Sequence, residues 1–483
     1  GVPVKSYAIP PTGFSVRSSW ISKSGATFSK IWTACSVTSG PIPSPGVIRI
    51  FLVVMISLFF KSILWIIYRN ETLKLVQEKI ILTILVACIY ILFPSVLWTA
   101  TPFKAELDKK FSKLVKNGSV TVANEKWILY RYPPKQNSLL VPASVQKYAT
   151  ALAAMHYFGS QFRFSTEFYM DKNDELGIRG HGDPFLVSEE WQKIANKLNN
   201  LTTIPKKSKG LFFDTSLFEE NIQIPGIKYS LNPYDAGNGA LVVNFNTVYL
   251  KVDKNGAITS AEEQTPLTPL AKHLGKKLTS GTHRVSIPPD SGFDYAGELL
   301  QTIFLRHGLS FKNRNVRLRK VSSAGQLVYR HYNNLNLQEV IAGMMLYSNN
   351  FIANQLLLTT GMKRFGPPAT LKKGRLAVEE YLTKELGISS DQFHIAEGSG
   401  ISRKNLLTPD AVLLLLKSFI PYQQLLPREK QIPYKTGTLK GVYSMAGYLS
   451  TRDPLYFVIL LNQQKNHREK IRDILLKTDF SRY

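Results

Sequence analysis

Three short clusters of reactive and hydrogen-bonding residues stand far apart in the chain: Ser144-Val145-Gln146-Lys147, Ser348-Asn349-Asn350 and Lys435-Thr436-Gly437. For them to act together, the fold must close the 204 residues from Ser144 to Ser348 and then return the chain once more. A serine, a nearby amine and a second serine can make and break an acyl-enzyme. The first cluster lies in an apolar, Ala-rich run that starts after Pro142 and stops at Gly159, which predicts a buried helix with Ser144 in its first turn. Positions i and i+3 share a helix face at about 5–6 Å, so the Lys147 amine is expected within reach of the Ser144 hydroxyl. Burial beside other positive groups lowers a lysine pKa and leaves a neutral amine able to take a proton. The helix N-terminus favours negative charge developing near Ser144. S-x-x-K by itself arises by chance in most long chains, so the weight falls on the other two clusters.

Ser348-Asn349-Asn350 follows an apolar helical stretch, Val340–Tyr347, and is expected to cap or interrupt a helix and turn polar groups into a cleft. Lys435-Thr436-Gly437 opens a strand. Ser444–Ser450 and Leu455–Asn462 are rich in β-formers, and the turn signal Thr451-Arg452-Asp453-Pro454 between them predicts antiparallel strands. Gly437 reads as the removal of a side chain where a substrate backbone would lie along a strand edge.

In order, spacing and local structure these clusters resemble the penicillin-binding and serine β-lactamase superfamily. Within it the chain is similar to the D-alanyl-D-alanine carboxypeptidase/endopeptidase family of the penicillin-binding protein 4 type. The resemblance runs from about residue 110 to the C-terminus through Phe162-Arg163-Phe164-Ser165-Thr166, Gly182-Asp183-Pro184, Glu397–Asn405 and Gly441–Tyr448. It implies an α/β (α+β) fold in which an antiparallel sheet with flanking helices is interrupted by a largely β insertion. It also implies a serine-type hydrolase: Ser144 the nucleophile, Lys147 its general base and Ser348 the proton carrier to the departing amine. Asn350 would bind the substrate amide and hold Lys147, and Lys435 and Thr436 would bind the terminal carboxylate. Gly437 lies on the same strand, and backbone N–H groups of Ser144 and Thr438 would form the oxyanion hole. Asp183 and Arg403 correspond to positions near the substrate's free diamino-acid end, although Gly-Asp-Pro and Gly-Ser-Gly are equally ordinary loop formers. Lys440 replaces the neutral side chain expected there. The implied partners are peptidoglycan stem peptides, with β-lactams as covalent inhibitors; no cofactor or metal is implied. A class A β-lactamase would position a deacylating water from an E-x-x-L-N loop. The nearest match, Glu379-Glu380-Tyr381-Leu382-Thr383, lacks the Asn and lies in a stretch of helical spacing, so slow deacylation of β-lactams is expected. A β-lactamase or esterase of the same fold, or a wall-binding scaffold without turnover, are the alternatives.

The gap between the first two clusters implies an inserted region over 170–325, with strand-like runs at Gly210–Phe213 and Ala240–Val252 and helices at Glu189–Leu198 and Asp294–His307. The catalytic part is then expected over 101–169 and 326–483. With 483 residues and 44% hydrophobic content, the chain is long enough for more than one domain. Its two cysteines, Cys35 and Cys88, precede the catalytic part, which therefore needs no disulfide. There is no H-E-x-x-H, Walker A or G-x-S-x-G motif, so a metalloenzyme, NTPase or α/β-hydrolase has no support.

Ile80–Phe103 carries no charge and follows Lys74 and Lys79, so 71–100 reads as a signal peptide or an uncleaved membrane anchor, which implies a periplasmic or otherwise extracytoplasmic enzyme. Residues 1–70 are expected to be a non-native or disordered leader with an apolar stretch at Ile50–Ile67, the first methionine being Met55. The net charge is +26. The basic residues are spread rather than gathered in a nucleic-acid motif, which favours an anionic wall or membrane surface over nucleic acid.

Overall fold

The computed structural model describes residues 102–483, apart from Tyr229, Lys430, Thr451, Arg452 and residues 481–483. The leader expected over 1–70 and the signal or anchor expected over 71–100 lie outside the described residues. Among the described residues, no helix is long and apolar enough to cross a membrane.

The strand Leu455–Leu461 (LYFVILL) organises the first layer. Tyr456, Val458 and Leu460 pack on one side and Phe457, Ile459 and Leu461 on the other, all fully buried. A strand covered on both faces is an unbroken apolar run and belongs at the centre of a sheet. It pairs antiparallel with Val442–Ser450 and with Gly118–Ala123. Ile432–Leu439 and the short Arg428–Glu429 extend the sheet one way and Ile128–Tyr132 the other, giving six antiparallel strands.

Helices Pro102–Leu114 and Arg468–Leu476 cover one face through Leu107, Phe111, Ile471 and Leu475. Against the other face pack Lys147–Phe158 and Pro409–Phe419, and Leu337–Leu346, Asn350–Phe365 and Leu371–Lys384 pack in turn on the first of these. Each fully buried aliphatic side chain in such a layer contributes about 1.5–3 kcal/mol. Lys147–Met155 are buried without exception, which accounts for a helix sequence with no polar stripe.

The 204-residue gap is closed by a pair of strands. Arg163–Met170 carries the chain out of the Lys147–Phe158 helix, and Gln326–Asn336 brings it back into Leu337–Leu346. The two pair antiparallel, with Ser165 opposite Tyr332 and Arg163 opposite Asn336. They form one side of a five-stranded sheet whose other members are Glu175–Gly180, Gly210–Asp214 and Arg317–Leu318. Helices Ser188–Asn199 and Gly292–Arg306 pack on it through Trp191, Ile194, Leu300 and Phe304. A three-stranded antiparallel sheet, Thr247–Val252 between Ile258–Ser260 and Gly281–Ser286, completes this segment, so helix and strand share it.

Of the strand-like run Ala240–Val252, only Thr247–Val252 is a strand. Asn244, Phe245 and Asn246 all have positive φ, at 49°, 58° and 53°. Asparagine tolerates that region because its side chain bonds locally: Asn244 accepts from Ser188 N at 2.8 Å, and Asn246 Nδ2 donates to the Gly237 carbonyl at 3.2 Å.

Candidate active site

Ser144 sits in a short 3-10 turn, Ala143–Gln146, that runs directly into the Lys147–Phe158 helix. Two chain segments press on this turn, and both approach through glycine. A Cβ on Gly437 would lie 2.7 Å from the Ser144 nitrogen and 2.8 Å from the Pro142 carbonyl oxygen. A Cβ on Gly400, whose φ is +86°, would collide with the Ala143 carbonyl. The glycine of Lys435-Thr436-Gly437 therefore makes room for the turn that carries Ser144, a different reason from clearance for a substrate backbone.

Lys147 is fully buried, and its Nζ has three neighbours: Ser144 Oγ at 3.1 Å, Asn350 Oδ1 at 2.8 Å and the Ser399 carbonyl at 2.7 Å. Two of these can only accept. A neutral amine has two N–H bonds for them and one lone pair left, which faces the only neighbour that has a proton to give, the Ser144 hydroxyl. Burial holds the Lys147 pKa well below the usual lysine range, the charge of Lys435 lowers it further, and Glu397 pulls the other way.

The helix Leu337–Leu346 starts with a capping box between Asn336 and Glu339. After it the chain breaks at Ser348, a non-glycine residue at φ +52°, and Asn349 caps the next helix by accepting from Ile352 N at 3.0 Å. This break lets Asn350, first residue of the Asn350–Phe365 helix, reach Lys147. Ser348 Oγ accepts from Lys435 Nζ at 2.9 Å, and the same amine reaches the Thr436 carbonyl at 2.9 Å. Burial, and then Arg468, bring the Lys435 pKa down to about 8. The three clusters thus converge as two serine–lysine pairs, with Asn350 bonded to the first and Ser348, two residues before it, in the second.

Thr436 is half-buried and Thr438 exposed on the strand Ile432–Leu439. Arg428–Glu429 pairs only with Ile432 and Pro433, so the outer edge from Lys435 onward has no strand partner among the described residues. Arg403 is exposed and donates to the carbonyl of Lys440, at the end of that strand. Asp183 lies elsewhere: it is buried, with Oδ1 accepting from Phe185 N and Oδ2 from Asn333 Nδ2, each at 2.8 Å. Burial pushes its pKa up to about 6. Its visible work is the turn after Gly182, and no bond joins it to the serine–lysine pairs. Glu380 also stands apart, on the Leu371–Lys384 helix, bound to Arg364 and Lys384.

Two residues at the site are not among the candidate site residues read from the sequence, although Glu397 opens the matching segment Glu397–Asn405. Glu397, fully buried, accepts from the N–H groups of Ser399, Gly400 and Ser402, the Ser399 hydroxyl and the Asn405 amide, and so folds the loop whose Ser399 carbonyl grips Lys147. Arg468 donates from NH1 to the Gly437 carbonyl and Thr438 Oγ1 at 3.0 Å and to the Ser444 carbonyl at 3.2 Å, bracing the strand from behind. A Glu in a Gly/Ser-rich loop was a usable signal for the first. Nothing in sequence marks the second among 60 Lys and Arg.

The antiparallel sheet, the helix bearing Ser144 and Lys147, and the Ser348 turn define a class, the serine peptidases of the penicillin-binding protein type. The chain belongs to the D-Ala-D-Ala carboxypeptidase 3 (S13) family, which it matches over residues 107–280 and 278–427. It is a serine-type D-Ala-D-Ala carboxypeptidase by that membership. A D-alanyl-D-alanine carboxypeptidase, DacB, of Haemophilus influenzae is 25% identical over 394 residues, covering 68% of this chain and 81% of that one. The crystal structure of penicillin-binding protein 4 from Haemophilus influenzae superimposes with a TM-score of 0.63 at 22% identity, over 77% of this chain and 99% of that one. A structure of that protein in complex with a β-lactam gives a TM-score of 0.59 at 22% identity, over 76% and 98%.

Proposed function

We propose that the protein is an exported serine DD-peptidase that cleaves D-alanyl-D-alanine, and cross-linking peptide bonds too, in peptidoglycan stems through an acyl-serine intermediate. The observation that carries this reading is the Lys147 amine, desolvated and held by two acceptors with its remaining position on Ser144 Oγ. Lys147 takes the hydroxyl proton as Ser144 attacks the carbonyl. The C–N bond then breaks as Ser348 delivers its proton to the departing amine and regains the one Lys147 had taken, which leaves Lys147 neutral again. Water next attacks the ester and gives a proton to Lys147, which passes it to Ser144 as the ester C–O bond breaks and the shortened peptide leaves as an acid.

The carboxylate of the substrate lies against Lys435 and Thr436. Along a strand the N–H and C=O of alternate residues face the same edge. The Thr436 carbonyl is open to the Lys435 amine, so the Thr438 N–H is read as facing that same open edge, where with Ser144 N–H it holds the oxyanion. Such a pair of donors contributes several kcal/mol, about 3–4 for each donor. Asn350 hydrogen-bonds the substrate amide. Arg403 reads the far end of the substrate, and Lys440 beside it adds positive charge.

β-Lactams acylate Ser144 as slowly released substrates. The β-lactam complex of the Haemophilus influenzae protein supports this, as does the engagement of Glu380 with Arg364 and Lys384 away from Ser144. We further read 101–169 and 326–483 as the catalytic part around an inserted 170–325, and the enzyme as acting outside the cytoplasm against an anionic wall. Release of D-alanine from a peptide ending in D-Ala-D-Ala tests the reading. The parent is expected to release it and Ser144→Ala to fail; no release by the folded parent would refute it.

A further inference from the structure

A cleft of about 810 Å³ opens beside the Ser348 turn, and nothing in the proposed chemistry uses most of it. Tyr347, Asn349 and Asn350 line one part, and Asn350 is the residue that holds Lys147. Phe351 and Ile352 continue that side, and the other wall comes from the inserted segment, including Phe185, Tyr234, Phe245 and Arg284. The cleft is therefore continuous with the reaction site, and its volume falls in the range of ligand pockets, about 300–1,000 Å³.

Its lining is aromatic where it meets solvent. Tyr347 is 75% exposed and Tyr234 58%. Such rings offer broad, rigid apolar faces with a polar end, at little cost in side-chain entropy. Beneath them Phe185 and Phe245 meet edge to face at 5.0 Å, and Phe351 follows at 6.2 Å. Phe245 is the middle residue of the left-handed stretch Asn244-Phe245-Asn246. A bulky residue held there by its surroundings is the kind of strain that gathers at ligand sites.

The charges in the cleft are already engaged. Glu262 accepts from Arg284 at 2.6 Å, Glu189 accepts from Gln264 at 2.8 Å, and the Arg284 guanidinium lies 4.6 Å from the Tyr249 ring. Two carboxylates stand against one guanidinium, so a ligand with free carboxylates would meet like charge. A neutral ligand would not. The amide nitrogens of Asn232 and Asn349 donate to nothing else among the described residues, while their oxygens cap Tyr234 N and Ile352 N. Hydroxyl groups can accept from those amides and donate to the carboxylates.

Apolar ring faces edged with hydroxyls describe a pyranose. We propose that this cleft binds a short neutral carbohydrate and so engages the glycan joined to the peptide that Ser144 attacks, an inference that rests on the peptidoglycan reading above. Binding of N,N′,N″-triacetylchitotriose to the full chain, followed by calorimetric titration, tests it. The parent is expected to bind, and Tyr347→Ala and Tyr234→Ala each to weaken binding at least about fivefold. Trp127→Ala, which removes an aromatic residue exposed outside the cleft, should leave the affinity as it was. No binding by the parent, equal affinity in all four proteins, or displacement of the sugar by an acidic peptide would overturn the proposal. In parallel, the ratio of kcat/KM for a disaccharide-linked peptide over the bare peptide should exceed about tenfold and fall toward one in Tyr347→Ala; a ratio of one in the parent counts against it. Failure of the parent to release D-alanine from the bare peptide would instead condemn the peptidase reading, because the titration judges the cleft without turnover.

Discussion

The five-stranded sheet and the Ser144 site handle charge in opposite ways. On the sheet, carboxylates meet guanidiniums: Glu167 lies with Arg179 and Arg330, Glu175 with Arg317 and Arg319, and Asp214 with Arg179. At the site, Lys147 and Lys435 are both buried, and neither forms an ion pair among the described residues; the carboxylate that acts on Lys147, Glu397, is spent on backbone N–H groups and side-chain donors of its own loop. Paired charge holds a shape. An unpaired buried amine instead loses its proton easily, which is what a base for serine needs. In the proposed mechanism the same residue types serve architecture in one region and chemistry in the other, according to whether a counter-charge is within reach.

Removing the unpaired amine is the sharpest way to break that contrast. Lys147→Met should lower kcat/KM by about 10³-fold or more, while unfolding shows a loss of no more than about 1–3 kcal/mol, because an apolar chain of similar shape fills the space of the neutral amine and leaves only Asn350 Oδ1 and the Ser399 carbonyl without their donor. A large loss of stability would mean that Lys147 is architectural after all. Glu397→Gln comes next. An amide cannot accept all the bonds the carboxylate accepts, and we expect about 2–4 kcal/mol of destabilisation in urea. It also removes the charge that raises the Lys147 pKa, so the acidic limb of the rate profile should move to lower pH.

On the other side of the comparison, Glu167→Gln should weaken folding by about 1–3 kcal/mol and leave D-alanine release within about twofold. A collapse of activity would join the two regions that we separate. The smallest effect concerns Lys435. A lysine is a cation below its pKa, so carboxylate binding is present below about pH 8 and lost as the pH rises through it. KM for a free-acid peptide should climb by up to about tenfold per pH unit beyond that point, and KM for its C-terminal amide should not. Parallel profiles for the two peptides would remove Lys435 from carboxylate binding.

The site's letters were legible because its chemistry needs particular side chains at fixed local spacings: Ser144 and Lys147 one helical turn apart, and Ser348 and Asn350 straddling a cap. The strand pair Val442–Ser450 and Leu455–Leu461 was legible from β-formers around a turn. Other features depended on contacts between segments distant in the chain. Gly437 and Gly400 exist to let two segments touch the Ser144 turn, which no local pattern records. Arg468 acts from a helix 30 residues beyond Thr438. Asn244-Phe245-Asn246 sits in a run that reads as strand, and its left-handed path is set by tertiary bonds to Ser188 and Gly237. Asp183 reads from sequence as either a substrate residue or a turn former, and what the fold adds is its burial and its bonds to Phe185 N and Asn333 Nδ2.

The most direct test of the central claim, that Ser144 is activated by a neutral Lys147 to form an acyl-enzyme, is the intact mass of the protein after brief exposure to benzylpenicillin, beside a Ser144→Ala control. A lasting adduct of the whole drug is expected on the parent and none on the control. An unmodified parent with the drug intact, or an adduct that persists in Ser144→Ala, would contradict it.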